Sequence, residues 1–105
     1  MEKPYNSFKE YIETYELDEL RAMTEQGCVS GCAGGLIYYS DTLAFYDQFC
    51  DELHDVLAFD IEQFGETPKY ITNALEQGCT AFKNAIVWYV AETYASQILN
   101  EIEAA

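Results

Sequence analysis

The run Ala85-Ile86-Val87-Trp88-Tyr89-Val90-Ala91 is apolar on every side of a helix, and it lies inside a segment, residues 80–102, whose hydrophobic spacing is helical. A helix apolar all round is stable in water only when other elements cover it. In a chain of 105 residues, long enough for one domain with a real core but too short for two, the rest of the chain must supply that cover. The predicted fold is therefore mainly α, a compact single-domain bundle over residues 1–105 with this helix at its centre and residues 1–5 frayed.

The remaining segments fit around it. Phe8, Tyr11, Ile12 and Tyr15 fall at helical spacing behind an Asn6 or Ser7 cap, and Leu17, Leu20 and Met23 continue the stripe as one long or two short helices. Gly27, Gly31, Gly34 and Gly35 break the pattern, and Leu36-Ile37-Tyr38-Tyr39 is β-prone, so residues 27–39 read as a glycine-rich loop and a short extended piece. Ser40-Asp41-Thr42 signals a helix start, and the period from 41 to 64 is helical until Gly65 stops it. Thr67-Pro68 predicts a cap and first-turn proline for a short helix to Gln77. Glu25-Gln26-Gly27-Cys28 and Glu76-Gln77-Gly78-Cys79 read as two similar helix ends rather than a duplication.

Charge narrows the partners. Nineteen Asp and Glu against five Lys and Arg give a formal charge of -14, which argues against direct binding of nucleic acid or an anionic membrane, since both need clustered cations. Half the chain is hydrophobic, too much for a charge-driven disordered tail. Met1 to Asn6 has no apolar signal core and no stretch suits a membrane span, so a cytoplasmic protein with reduced thiols is expected.

On a wheel of about 100° per residue, Tyr46, Phe49, Cys50, Leu53, Val56, Leu57, Ile61 and Phe64 form a core arc. Asp47, Asp51, Glu52, Asp55, Glu62 and Glu66 fall opposite, with no Lys or Arg between Arg21 and Lys69. Like charges at i,i+4 cost roughly 0.2–0.5 kcal/mol per pair, so folding alone gives no reason for the stripe. Solubility is the competing account. Phe59 falls among the acids and would be an interface anchor if exposed, or would be buried by a kink or a neighbouring segment. Asp60 falls on the apolar arc; the favoured account is a helix that bends or ends before it, and Lys83 or a tyrosine hydroxyl would otherwise be its partner.

Sites of chemistry are weakly signalled. Cys28-x3-Cys32 with Cys50-x3-His54 has zinc-ligand types, but the spacer is unusual for structural zinc and Cys50 falls on the core arc, so no metal is expected. A thiol nucleophile paired with His54 lacks a neighbour that would lower its pKa. The glycine cluster lacks the Gly-Lys-Ser/Thr ending of a phosphate loop, and no calcium-loop spacing occurs. Neither enzyme activity nor a cofactor is expected.

The stretch Gly34-Gly35-Leu36-Ile37-Tyr38-Tyr39-Ser40-Asp41-Thr42, then Phe45-Tyr46-Asp47, and later Phe82-Lys83-Asn84, Trp88-Tyr89 and Glu92 resembles an uncharacterised family of small acidic proteins carried by bacteriophages and other bacterial mobile elements. The resemblance runs from about Gly31 to Ala95. It implies an accessory protein of the host cytoplasm, a setting in which many such proteins inhibit host defence, including anti-CRISPR and anti-restriction proteins that mimic nucleic acid.

Three functions follow as expectations. In the first, the stripe and an aromatic such as Phe59 or Tyr38 occupy the cationic groove of a host nucleic-acid-binding protein or defence complex. The stretch from Asp47 to Glu66 would extend about 28 Å, comparable with about eight phosphates of one strand. In the second, Cys28, Cys32, Cys50 and His54 converge on zinc or hold a reactive thiol. In the third, exposed aromatics build a homo-oligomeric structural or assembly factor.

Overall fold

Five helices make up the described part of the chain, residues 5–26 and 36–104 of a computed structural model. They are α1 (Phe8–Ile12), α2 (Leu17–Gln26), α3 (Tyr39–Phe64), α4 (Lys69–Gln77) and α5 (Cys79–Ala104). No strand occurs among the described residues. Residues 27–35, most of the predicted glycine-rich loop, with Gly27 and Cys28 of the first Glu-Gln-Gly-Cys end, lie outside them, as do residues 1–4 and 105.

Helix α5 is the centre, in contact with each of the other four. Ala85, Ile86, Val87, Trp88, Val90, Ala91, Tyr94, Ala95, Ile98 and Leu99 are all buried along it, as the all-round apolar run requires. Its two polar anchors are equally informative. The Trp88 indole N–H donates to the Ile37 carbonyl at 2.9 Å, and the Thr42 hydroxyl donates between the Tyr39 carbonyl and Asn84 Oδ1. Thr42 and Asn84 are the buried polar residues of the core, and their pairing satisfies groups that would otherwise be costly to bury.

An aromatic cluster docks α1. The Phe8 ring, fully buried, lies 5.3 Å from Phe45, 5.9 Å from Phe49 and 6.2 Å from Tyr94, while Tyr11 lies 4.6 Å from Phe45. Tyr5, expected to fray, sits edge-on to Tyr11 at 5.3 Å. Of the two caps predicted, Asn6 or Ser7, it is Ser7 that caps α1, its hydroxyl accepting from the Glu10 N–H. The first quarter is two short helices, and Tyr15 falls in the turn between them.

Several boundaries differ from the sequence expectation. Helix α3 starts at Tyr39, inside the β-prone run and before Ser40-Asp41-Thr42, because Thr42 turns inward to Asn84 instead of capping. Pro68 is the cap of α4 itself, one position earlier than its usual first-turn place. Leu17 is exposed rather than part of the α2 core stripe. Gly65 ends α3 in the left-handed conformation with φ 81°, and Gly78 ends α4 with φ 118°, the role expected of both.

Candidate interaction surface

Helix α3 carries the acidic face along 26 residues, and it is not a regular rod. Phe49 has non-helical angles, φ -124° and ψ 25°, so the helix kinks there. Beyond the kink Leu53 and Leu57 are buried on the arc the wheel assigns them, and two residues depart from the wheel.

The first is Glu52. The wheel places it outward, but its side chain turns in. Oε1 accepts the Phe8 N–H at 2.8 Å, and Oε2 accepts the Lys9 N–H at 3.1 Å and the Tyr94 hydroxyl at 2.7 Å. These are the first amides of α1, donors without a partner inside their own helix. Glu52 thus ties α1 to α3 and α5 and leaves the stripe. A signal for this was present, since Glu52 follows Phe49 by three residues and precedes Val56 by four, both on the apolar arc. The second correction is Phe64, assigned to the core arc but 72% exposed in the last turn of α3.

Asp47, Asp51, Asp55 and Glu62 are exposed on α3, as predicted, while Glu66 is exposed but lies beyond the helix end at Gly65. Phe59 is 60% exposed, and along the helix it sits four residues after Asp55 and three before Glu62, so the ring is flanked by carboxylates. Among the described residues the one ion pair joins Lys9 to Glu101, at 3.7 Å, away from this face. Asp47 to Glu62 covers about 22 Å, shorter than the 28 Å expected.

Of the two accounts favoured for Asp60, α3 does bend before it, at Phe49, but does not end there and continues through it to Phe64. Asp60 accepts the Tyr89 hydroxyl at 2.8 Å, one of the two partners foreseen. The other, Lys83, instead places its Nζ 5.2 Å from the centre of the Tyr46 ring, a cation–π contact.

Cys28 and Cys32 lie outside the described residues. Cys50 is half-buried and Cys79 exposed, both as free thiols. Tyr46 is the hub between them: a hydrogen bond with Cys50, then burial, push its hydroxyl up to about 12, and the same hydroxyl lies 2.8 Å from His54 Nε2. His54 is exposed, and its ring lies tilted against Phe82 at 5.7 Å. Among the described residues no three His, Cys, Asp or Glu side chains assemble for a metal ion.

Three clefts stand out among the described residues. One of about 440 Å³ opens beside the kink, between Asn6 and residues 47–52. Another of about 350 Å³ lies between the end of α3 and α5, bordered by Asp60, Phe64, Tyr89 and Glu92. The third, about 320 Å³, lies between α4 and α5 under Tyr39; nothing in the sequence reading anticipated it. No helix of the described residues is long and apolar enough to cross a membrane.

No curated protein and no solved structure matches the chain. The model of one family, described as a domain of unknown function (DUF7222), matches residues 4–104. That match takes in all five helices, the kinked acidic one included, and the chain belongs to the DUF7222 family.

Proposed function

We propose that this chain is an accessory protein of a phage or other mobile element that binds and inhibits a host defence complex, of anti-CRISPR or anti-restriction type, in the bacterial cytoplasm. It acts as an acidic mimic, seating α3 in a cationic groove that otherwise holds nucleic acid. The observation that carries this reading is the row Asp47, Asp51, Asp55 and Glu62, exposed and outside any ion pair among the described residues, with Phe59 60% exposed in its midst. A purely solubilising face has no use for an aromatic ring. A docking face does, because a covered ring supplies contact energy while carboxylates supply rate and selectivity. The family resemblance and the charge of -14 support the same reading. Asp47 to Glu62, about 22 Å, compares with six or seven phosphates of one strand.

The test titrates the purified protein into a nucleic-acid-dependent defence complex at rising salt. Displacement of the nucleic acid is expected, weakening as salt rises. Reversing Asp51 and Asp55 to Lys is expected to abolish it, and Phe59→Ala to weaken it by about 2 kcal/mol, roughly thirtyfold. Inhibition that is absent, or indifferent to salt and to charge reversal, overturns the proposal.

A further inference from the structure

The cleft of about 320 Å³ between α4 and α5 differs in kind from the acidic face. None of the residues lining it is charged, in a chain with a formal charge of -14. Its volume lies at the lower end of the range for small-molecule sites, about 300–1,000 Å³.

Three features define what would fit. The walls are aromatic: Tyr39, 63% exposed, meets Trp88 edge-on at 4.9 Å, and Tyr70 faces the same space. The floor is made of methyl groups, Ala74 from α4 and Ala81 and Ala85 from successive turns of α5, which let a flat ring approach both helices. The rim carries two amides, Asn73 and Gln77, one turn apart on α4 and both exposed. A side-chain amide presents a donor and an acceptor side by side.

The Trp88 indole N–H and Asn84 Oδ1 already have partners, the Ile37 carbonyl and the Thr42 hydroxyl respectively. Trp88 shapes the cleft rather than reads a ligand. Asn73 and Gln77 are the groups placed to do so.

We propose that this cleft binds an uncharged planar heterocycle with adjacent donor and acceptor atoms, of the purine nucleoside class. Ring stacking on aromatic walls suits any base. A paired amide suits the adenine edge in particular, where an acceptor nitrogen stands beside an amino group. The absence of cations in the lining, within a strongly negative molecule, sets the selectivity: a phosphate would be repelled, so a nucleoside binds and a nucleotide or nucleic acid does not. This site is separate from the acidic face of α3, and neither depends on the other.

Trp88 is the single tryptophan of the chain and lines the cleft, so its fluorescence reports occupancy directly. The experiment titrates adenosine, adenosine 5′-monophosphate and glucose against the intact protein. Adenosine is expected to change Trp88 emission saturably, the monophosphate to bind about tenfold more weakly or worse, and glucose to have no effect. The double change Asn73→Ala and Gln77→Ala, at exposed positions where helix content is retained and checked by circular dichroism, is expected to weaken adenosine binding about tenfold. The Asp51 and Asp55 reversals are expected to leave it unchanged, which keeps this test distinct from inhibition of a defence complex. A silent adenosine titration, equal or tighter binding of the monophosphate, saturation by glucose in place of adenosine, or unchanged binding after loss of both amides overturns the proposal.

Discussion

Glu52 shows how one carboxylate can be an architectural part of an otherwise solvated helix. It receives two consecutive backbone N–H groups of α1 and the Tyr94 hydroxyl, three donors that compete poorly for water once α1 is docked. Hydrogen bonds to charged groups contribute about 1.5–3 kcal/mol each and do not add when they share an atom or a side chain. Glu52→Ala is therefore expected to lower the unfolding free energy by about 2–4 kcal/mol in a denaturant titration, and Glu52→Gln by less because one acceptor oxygen remains. Asp55→Ala, on the solvated side of the same helix, is expected to stay within about 0.5 kcal/mol of the parent. Equal losses at 52 and 55 would contradict this division of roles. The distinction is hard to read from residue type, because both are acids at nearby positions and only the long-range partners on α1 and α5 separate them. Phe59 is the opposite case: its place among Asp55 and Glu62 is readable from local register, while the choice between an exposed ring and one covered by a kink or a neighbouring segment is decided only by the fold, in which it is exposed.

At the scale of elements, what was readable is what local chemistry decides. Ser7 caps α1 through its own hydroxyl, and Gly65 and Gly78 end α3 and α4 with positive φ, each a consequence of residue type at one position. The start of α3 at Tyr39 and its kink at Phe49 were not readable. Both positions are tied to the core, by the Thr42–Asn84 pairing in one case and the packing of Phe8 against Phe49 in the other. The two glycines also make separable predictions. Neither has a neighbour within 4 Å of the place a Cβ would occupy, so substitution tests backbone conformation without steric clash. Gly65, at φ 81° and ψ 0°, lies in the left-handed region, and Gly65→Ala is expected to cost about 1–2 kcal/mol. Gly78, at φ 118° and ψ 177°, occupies a region nearly exclusive to glycine, so Gly78→Ala is expected to cost more, up to about 3 kcal/mol. Thermal melts of the two variants check the order; the reverse order would mean that the α4–α5 joint adjusts freely.

For the whole molecule, one central helix organises the core while the surface carries a charge of -14 with a single ion pair among the described residues. Self-repulsion of this kind opposes compaction, and added salt screens it. Raising sodium chloride from about 20 to 500 mM is expected to raise the Tm by a few degrees, whereas a molecule held by surface ion pairs would lose stability. Alkali acts on the same balance through three tyrosines. Burial, then the hydrogen bond with Tyr11, holds the Tyr15 hydroxyl well above its ordinary 10.0; burial, then the Glu52 carboxylate, does the same for Tyr94. Tyr46 is pushed up to about 12, first by its hydrogen bond with Cys50. In each case the folded chain keeps a proton that the unfolded chain releases near pH 10, so the unfolded state binds fewer protons above that point. Stability is then complete below pH 10 and falls as pH rises through it toward the folded values. Followed by phenolate absorbance, Tyr15 and Tyr94 are expected to ionise only as helicity is lost. Phenolate signals of Tyr15→Phe and Tyr94→Phe variants assign that late phase, and early ionisation of both residues in the folded chain would contradict their buried, hydrogen-bonded placement.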